Sequence, residues 1–319
     1  MNPYQFKEKK DTRSGFGAGL LEAGKRHPEV VALAADLKGS VKMDAFAKAF
    51  PERFIQVGIA EANMISMAAG LALCGKIPFT GTFAEFATGR VYDQIRQSVA
   101  YSNQNVKIYA PHAGVSVGED GATHQALEDM GMMRMMPNMT VIHPCDYNQA
   151  YQATLAVAEH NGPVYLRCGR PEVPNFTDPN KPFEIGKADV LLEGTDVTLA
   201  AIGHLVWPAL EAAEILAERG VKAEVICVST LKPLDTPCIL KSVLKTGCIV
   251  SCEEHQFNGG LGDAIAQFLC RTVPTPMEMV GMDDQFGQSG KPMELMDFYG
   301  LNAAGIVEKA EKVLERKTR

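Results

Sequence analysis

The sequence lacks the features of a secreted, membrane-spanning or nucleic-acid-binding protein. Its longest nearly apolar stretch, MISMAAGLALCG (64–75), is too short to cross a bilayer. The net charge of −7 argues against nucleic acid or an anionic membrane surface as a partner. The first residues, MNPYQFKEKKDTR, contain no secretion signal. We therefore expect a cytoplasmic protein.

The sequence also lacks paired cysteines and any cluster typical of a metal site. Its eight cysteines are scattered, without a C-x-x-C pair, which favours reduced thiols in a cytosol. Cys248 and Cys252 are close in sequence, but no His or Cys cluster lies beside them. GFGAG (15–19) follows no predicted strand and lacks the G-x-G-x-x-G spacing, so it does not predict a dinucleotide loop. We expect this chain to bind no metal ion by itself.

What the sequence does have is a regular alternation of strand-like and helix-like segments, which predicts an α/β fold with parallel, helix-covered sheets. VVALAAD (30–36) and RFIQVGI (53–59) are typical strands. The proline-rich stretch PEVPNFTDPNKPFEIG (171–186) interrupts the alternation, which then restarts. We predict two consecutive open parallel-sheet units: a first domain at 1–172, a linker at 173–186 and a smaller domain at 187–319.

Polar residues follow several predicted strands of the first domain. These residues are Asp36, Glu61, His112 and Arg170. Each alone has an ordinary explanation as a helix cap or a solvent contact. Because ligands bind at the carboxyl ends of parallel strands, the recurrence favours a shared site. The second domain offers no such residues, and we expect it to serve packing and dimer contacts.

Other residues have both a structural and a functional interpretation. Glu61 can stabilise the first turn of a helix or act as a buried general acid. Phe83 and Phe86 can belong to the core or stack on a heterocycle. GGLGDAIAQ (259–267) can form an anion-binding helix start, although a tight turn into a helix is the more ordinary use.

The stretch GVSVGEDGATHQALED (114–129) has an unusual composition for a packing element. It contains three glycines, four carboxylates and one histidine. Glycine weakens helices and strands, and Glu119 and Asp120 would be costly to bury without partners. This composition predicts a loop that serves function.

Four ordered motifs resemble the C-terminal part of transketolase, and the resemblance extends over essentially the whole chain. They are GIAEANM (58–64), GTFAEF (81–86), HAGVSVGEDGATHQALED (112–129) and SGKPMELMDFYGL (289–301). In that family a pyrimidine-binding domain of thiamin-diphosphate enzymes comes first and a smaller C-terminal domain follows. The resemblance thus implies the domain order that the linker predicts.

The resemblance implies a role for several residues toward thiamin diphosphate. Glu61 matches the catalytic glutamate that hydrogen-bonds N1′ of the aminopyrimidine and helps to generate the ylid nucleophile. Phe83 and Phe86 match aromatics that pack on the aminopyrimidine, and Asp36 matches an acidic residue near the thiazolium edge. The stretch after Phe86 is one residue longer than in animal-type members, and Gly89 replaces a tyrosine. The third pyrimidine contact of the family therefore has no match here.

The resemblance also implies a substrate site. Asp120 matches the residue that checks a hydroxyl stereocentre, and His124 matches one that contacts the substrate near the reacting carbon. The residues that match the binding site for a sugar phosphate are Arg13, Ser40, His112 and Arg170. Arginine suits this role because its fork binds phosphate through two hydrogen bonds.

Full-length transketolases carry a G-D-G motif and a downstream asparagine that hold Mg²⁺ and the diphosphate, and this sequence has no G-D-G. We therefore expect a separate N-terminal subunit to supply that domain, in a two-plus-two assembly that performs ketol transfer between sugar phosphates. The pathway can be the pentose phosphate pathway or breakdown of an unusual sugar. Alternatives are the beta chain of a 2-oxo acid dehydrogenase, 1-deoxyxylulose-5-phosphate synthase, or a non-catalytic partner of another thiamin enzyme.

Overall fold

The computed structural model describes residues 4–317 and contains two mostly parallel sheets covered by helices. The strands are β1 (Lys9–Asp11), β2 (Val30–Ala34), β3 (Phe54–Gln56), β4 (Ile77–Gly81), β5 (Lys107–Ala110), β6 (Thr140–Ile142), β7 (Val164–Arg167), β8 (Glu172–Pro174), β9 (Asp189–Leu192), β10 (Val197–Ala201), β11 (Ala223–Cys227), β12 (Thr230–Lys232), β13 (Ile249–Gln256) and β14 (Met277–Met282). The helices are α1 (Thr12–Arg26), α2 (Asp44–Ala49), α3 (Glu61–Leu73), α4 (Ala84–Thr88), α5 (Tyr92–Gln94), α6 (Asp129–Met135), α7 (Tyr147–Glu159), α8 (Val206–Glu218), α9 (Thr236–Thr246), α10 (Leu261–Cys270), α11 (Pro292–Phe298) and α12 (Ala303–Lys317).

The first sheet has seven strands in the order β12-β6-β7-β5-β4-β2-β3. All of its pairs are parallel except β12 with β6. Strand β2, VVALA, is buried at every position, as expected for a strand covered by helices on both faces. The carboxyl ends of β3, β2, β4, β5 and β7 consequently lie side by side along one edge.

The second sheet has five strands in the order β14-β13-β10-β11-β9, of which only β9 is antiparallel. The α/β fold class and the restart of the alternation are therefore as the sequence predicts. The exact domain limits of 172, 173–186 and 187 stay a prediction.

GFGAG (15–19) lies inside helix α1, where its glycines permit close contact with α7. A Cβ atom on Gly19 would lie 2.7 Å from Cβ of Thr154 and 2.9 Å from the carbonyl oxygen of Tyr151. The glycines thus permit close helix packing, a role that the sequence analysis does not predict.

Several elements differ from the sequence prediction. The predicted linker begins with β8, which pairs antiparallel with β1. Strand β3 is shorter than RFIQVGI (53–59) because the chain turns at Gly58, which has a φ of +72°. The alternation of segments also predicts a helix around VYDQIRQSVAYS (91–102). This segment contains only three α-helical residues and continues as a π-helix over Ile95–Tyr101. A turn of π-helix contains more residues than a turn of α-helix, and the spacing of apolar residues in the sequence does not distinguish the two.

The core is continuous across the two sheets. One cluster of buried side chains joins Met130 and Val141 of the first unit to Ile202 and Ile226 of the second. Within residues 4–317, no helix combines the length and the apolar character needed to cross a membrane.

Candidate active site

The edge formed by the strand ends gathers the polar residues that the sequence pattern selects. Asp36 comes shortly after β2, Glu61 after β3, His112 after β5 and Arg170 after β7. Asp36 and His112 both have a φ of +60°, an uncommon conformation for residues other than glycine. Such strained positions cluster at functional sites, so the backbone itself marks this edge.

Glu61 is the first residue of helix α3, and its side chain is only 4% exposed. Nη1 of Arg90 donates a hydrogen bond to its Oε1 at 3.0 Å. The guanidinium carbon of Arg90 also lies 4.1 Å from the centroid of the Phe86 ring. The buried carboxylate therefore faces a half-exposed cation and an aromatic surface. The sequence analysis does not predict a role for Arg90. The available indication is that Arg90 directly follows Gly89, the position at which this sequence lacks the tyrosine of the family.

Phe83 and Phe86 are partly exposed and do not belong to the buried core clusters. Their rings are nearly parallel, at an interplanar angle of 16° and a centroid distance of 6.0 Å. Phe83 stacks on the His112 ring at 3.8 Å, and Phe86 meets the His124 ring edge-on at 5.4 Å. The four rings form a continuous aromatic wall.

His112 is buried at the centre of this edge. Nη1 of Arg13 lies 3.2 Å from its Nε2. Burial, assisted by the positive charges of Arg13 and Arg170, lowers the pKa of His112 to about 3. The ring is therefore neutral at physiological pH. Because a guanidinium can only donate, Nε2 accepts and Nδ1 carries the proton, and Nδ1 has no hydrogen-bond partner within residues 4–317.

Two arginines lie at this corner of the site. Arg13 donates from Nη1 to the carbonyl oxygen of Ser40 at 3.3 Å and from Nη2 to that of Arg170 at 3.0 Å. Nη1 of Arg170 donates to the carbonyl oxygen of Val117. It also lies 3.5 Å from Glu119 Oε2 and 3.9 Å from Asp120 Oδ2. Ser40 thus contributes a backbone oxygen to the contact with Arg13.

The loop from Gly114 to Gln125 forms the rim of the site. Gly114, Gly118 and Gly121 all have positive φ angles, which glycine adopts without strain. The side-chain amide of Gln125 donates to the carbonyl oxygens of Val115 at 3.1 Å and Gly118 at 3.2 Å, which holds the loop in shape. Asp120 is left exposed and His124 partly exposed, with Nδ1 of His124 2.9 Å from the Thr123 hydroxyl.

Asp36 is the least connected of the predicted residues. Its backbone N–H donates to Oε1 of Gln56 at 2.7 Å, and its carboxylate is exposed. Across residues 4–317, the structure gives its side chain no hydrogen bond to the other predicted site residues.

The helix start at GGLGDAIAQ (259–267) is not part of this edge. The carboxylate of Glu253 accepts hydrogen bonds from the N–H groups of Leu261 at 2.7 Å and Gly262 at 2.8 Å. The anion that this helix start holds is therefore a side chain of the same chain, and the interpretation as a tight turn into a helix is correct.

The carboxylate of Glu61 and the phenyl rings beside it suit a flat heteroaromatic ring. A buried carboxylate can pair with a ring nitrogen, and the adjacent phenyl rings can cover the faces of a heterocycle. For a metal ion, in contrast, residues 4–317 offer no group of three or more His, Cys, Asp or Glu side chains in a suitable arrangement.

Comparison with known protein families identifies both halves of the chain. The transketolase pyrimidine-binding domain matches residues 8–175, and the transketolase C-terminal domain matches residues 186–306. The chain belongs to the transketolase family. The resemblance predicted from the four motifs is confirmed.

Two named transketolase subunits align with this chain over almost the full length of both sequences. A 6-deoxy-6-sulfo-D-fructose transketolase subunit of Clostridium sp. (strain MSTE9) is 44% identical over 93% of this chain and 92% of its own length. An apulose-4-phosphate transketolase subunit of Phocaeicola vulgatus is 36% identical over 95% of this chain and 97% of its own length. A solved structure described as a split gene transketolase, inactive beta4 tetramer, is 44% identical, with a TM-score of 0.90 over 97% of this chain and all of that one.

Proposed function

We propose that this chain is the C-terminal subunit of a two-chain transketolase, which transfers a two-carbon ketol unit from a ketose phosphate to an aldose phosphate. The observation that carries the proposal is the buried carboxylate of Glu61 beside the aromatic wall, at the sheet edge that also holds Arg13, His112 and Arg170. A cofactor pocket and an anion pocket thus share one edge.

Toward thiamin diphosphate, Glu61 would accept or share a proton with the aminopyrimidine ring, and Phe83 and Phe86 would cover that ring. Asp36 would lie near the thiazolium edge. When bound, the cofactor supplies the carbon nucleophile and the electron sink for breaking and forming the bond next to the carbonyl. Arg90 donates a hydrogen bond to Oε1 of Glu61 in this structure. When the ring is bound, the Arg90 guanidinium would share this carboxylate with the ring or move away from it.

Toward the substrate, the corner that contains the two arginines would hold the phosphate. Arg13 and Arg170 supply guanidinium donors, and the neutral His112 ring offers its Nδ1–H group. Ser40 would contact the phosphate from the loop after β2. Asp120 and His124 would reach sugar hydroxyls from the loop, and His124 would lie near the reacting carbon.

The partner is proposed from the relatives. Two relatives that match almost end to end are named as subunits, and the solved structure is described as split and inactive as a tetramer of one chain type. We therefore assign the diphosphate and its Mg²⁺ to a separate N-terminal subunit, in an assembly with two copies of each chain. The substrates named for the two relatives differ, a sulfosugar for one and apulose 4-phosphate for the other; for this chain we propose sugar phosphates of cytoplasmic carbohydrate metabolism.

The test of this proposal is Glu61→Gln in the complex reconstituted with the N-terminal subunit. Gln keeps the shape of the side chain but cannot share a proton, so we expect turnover to fall by about 10²-fold or more, with assembly unchanged by light scattering. The exposed carboxylate of Glu52 offers a matched control, Glu52→Gln, which should retain full turnover. Normal turnover of the Glu61 variant would instead identify a non-catalytic scaffold.

A further inference from the structure

We propose that Glu254, a residue of the second sheet, is a positioning residue that fixes the substrate loop. By substrate loop we mean residues 114–125, which carry Asp120 and His124. The inference rests on the proposed function, because it assigns these two side chains to the sugar. It gives the C-terminal domain a specific part in the reaction beyond packing and dimer contacts.

The first support is a direct contact between the domains. Oε1 of Glu254 accepts a hydrogen bond from the backbone N–H of Ser116 at 2.6 Å, and both residues are buried. Gly114 lies on the same carboxylate, since a Cβ atom added there would overlap Oε1. The φ of Gly114 is +84°. The carboxylate therefore occupies a position that only glycine in the loop leaves open.

The second support is that Arg167 of β7 links the end of the loop to strand β13. Nη2 of Arg167 donates to the carbonyl oxygen of Ala126 at 3.2 Å and to that of Glu254 at 3.1 Å. Arg167 is itself held by Asp129, with Nε at 2.7 Å and Nη2 at 3.1 Å from its carboxylate. Beyond the hydrogen bonds, Val115 packs in the buried cluster of the second domain. The loop is thus bound to the second domain directly at its start, and its end is linked to the backbone of Glu254 through Arg167 of the first sheet.

The third support is that burial of the Glu254 carboxylate is unfavourable and needs the hydrogen bond from Ser116. Burial raises the pKa of Glu254, while Arg167 and the Ser116 N–H group oppose that shift. Nδ1 of His204 lies 3.9 Å from Oε2. A buried carboxylate is unfavourable unless hydrogen bonds compensate, and an apolar side chain here would leave the Ser116 N–H without a partner.

The neighbouring acid provides the contrast that makes the inference testable. Glu253 is equally buried on the same strand, and burial raises its pKa to about 7. Its carboxylate, however, binds the N-terminus of α10 within the second domain. Two adjacent buried glutamates therefore have different contacts, one local and one to the substrate loop.

The experiment compares Glu254→Ala with Glu254→Gln in the reconstituted complex. Ala leaves a buried donor unsatisfied, so kcat/KM for the sugar phosphates should fall about 10- to 100-fold, with a rise in KM. Gln keeps an acceptor oxygen for Ser116 and should stay within about 3-fold of the wild type. Hydrogen exchange of residues 114–125 should accelerate in the Ala variant only.

Glu253→Ala is the matched control. It should lower the thermal midpoint as Glu254→Ala does, but leave exchange in the substrate loop unchanged. If Glu254→Ala fails to fold, Gly114→Ala perturbs the same contact from the loop side and should give the same faster exchange. Equal loop exchange in wild type, Glu254→Ala and Gly114→Ala would overturn the inference.

The failure of this inference can be told from failure of the proposed function. If Asp120→Ala and His124→Ala leave turnover unchanged, the proposed substrate role is wrong, and loop exchange still reports whether Glu254 fixes the loop. If those variants impair turnover while Glu254→Ala changes neither exchange nor KM, only the inference about Glu254 is wrong.

Discussion

At the scale of single residues, Arg170 contacts the substrate loop and also lies where we propose that the phosphate binds. Its guanidinium donates to the Val117 carbonyl of the substrate loop and lies close to Glu119 and Asp120. A phosphate bound here would contact the same Arg170 guanidinium that already donates a hydrogen bond to the substrate loop. Arg170 would thus connect phosphate binding to the position of Asp120.

Arg170→Ala should mainly impair the use of phosphorylated acceptors. A charge-assisted hydrogen bond contributes about 1.5–3 kcal/mol, so we expect kcat/KM to fall about 10- to 150-fold with an aldose phosphate. With the matching unphosphorylated aldose, the loss should be several-fold smaller, because the missing guanidinium does not contact the reacting carbon. Equal losses with both acceptors, measured by steady-state kinetics, would contradict a phosphate-binding role.

Part of the proposed site can be predicted from the positions of polar residues in the sequence. Asp36, Glu61, His112 and Arg170 follow predicted strands, and parallel topology is enough to place them along one edge. Arg90 and Glu254 could not be found this way. Arg90 meets Glu61 through a turn whose path the hydrophobic pattern does not specify, and Glu254 reaches the loop from a strand of the other domain.

At the scale of elements, helix α1 shows how glycine is used for close packing. Gly19 faces α7 at a distance that leaves no room for a methyl group, with Thr154 and Tyr151 as neighbours. Gly70 of α3 is also inside a helix, but an added Cβ would meet nothing within 4 Å among the residues that the structure describes. Two helical glycines in the same chain therefore have opposite surroundings.

We expect Gly19→Ala to destabilise the chain by about 1–3 kcal/mol, because α1 and α7 would have to separate. Gly70→Ala should be neutral or stabilise by up to about 1 kcal/mol, since alanine has the better helix propensity. Thermal and denaturant unfolding of the two variants gives the comparison. A stability gain for Gly19→Ala would show that the helices move apart at little cost.

Regular elements follow the sequence pattern, whereas the irregular ones do not. The buried strand β2 is found where the sequence predicts it, because its continuous apolar run VVALA is a strong signal. The short antiparallel strands β8, β9 and β12 were missed. Each has only three or four residues and is defined by a distant partner strand, so local pattern contains little signal for it.

At the scale of the whole molecule, the proposed cofactor has two parts, a pyrimidine ring and a diphosphate, that need different binding groups. Glu61, Phe83 and Phe86 can hold a neutral ring. The diphosphate carries several negative charges and needs a metal ion with oxygen ligands in an octahedral arrangement. Residues 4–317 contain no group of three or more His, Cys, Asp or Glu side chains arranged to hold a metal ion.

The isolated chain should therefore bind thiamin diphosphate and Mg²⁺ weakly and show no ketol transfer. Titration calorimetry of the chain alone and with the N-terminal subunit tests this directly. We expect a gain of at least about 100-fold in affinity on adding the partner, equivalent to about 2.7 kcal/mol. Tight Mg²⁺-dependent binding by this chain alone would contradict the assignment of the metal to the partner.

The pairing of β12 with β6 has a consequence for how the chain can be divided. Residues Thr230–Lys232 close an edge of the first sheet, although they belong to the second half of the polypeptide. Cutting between the two homology regions would bare the backbone of β6 to solvent, and an unprotected strand recruits other chains. The first sheet is therefore complete at this edge only while both homology regions stay on one polypeptide.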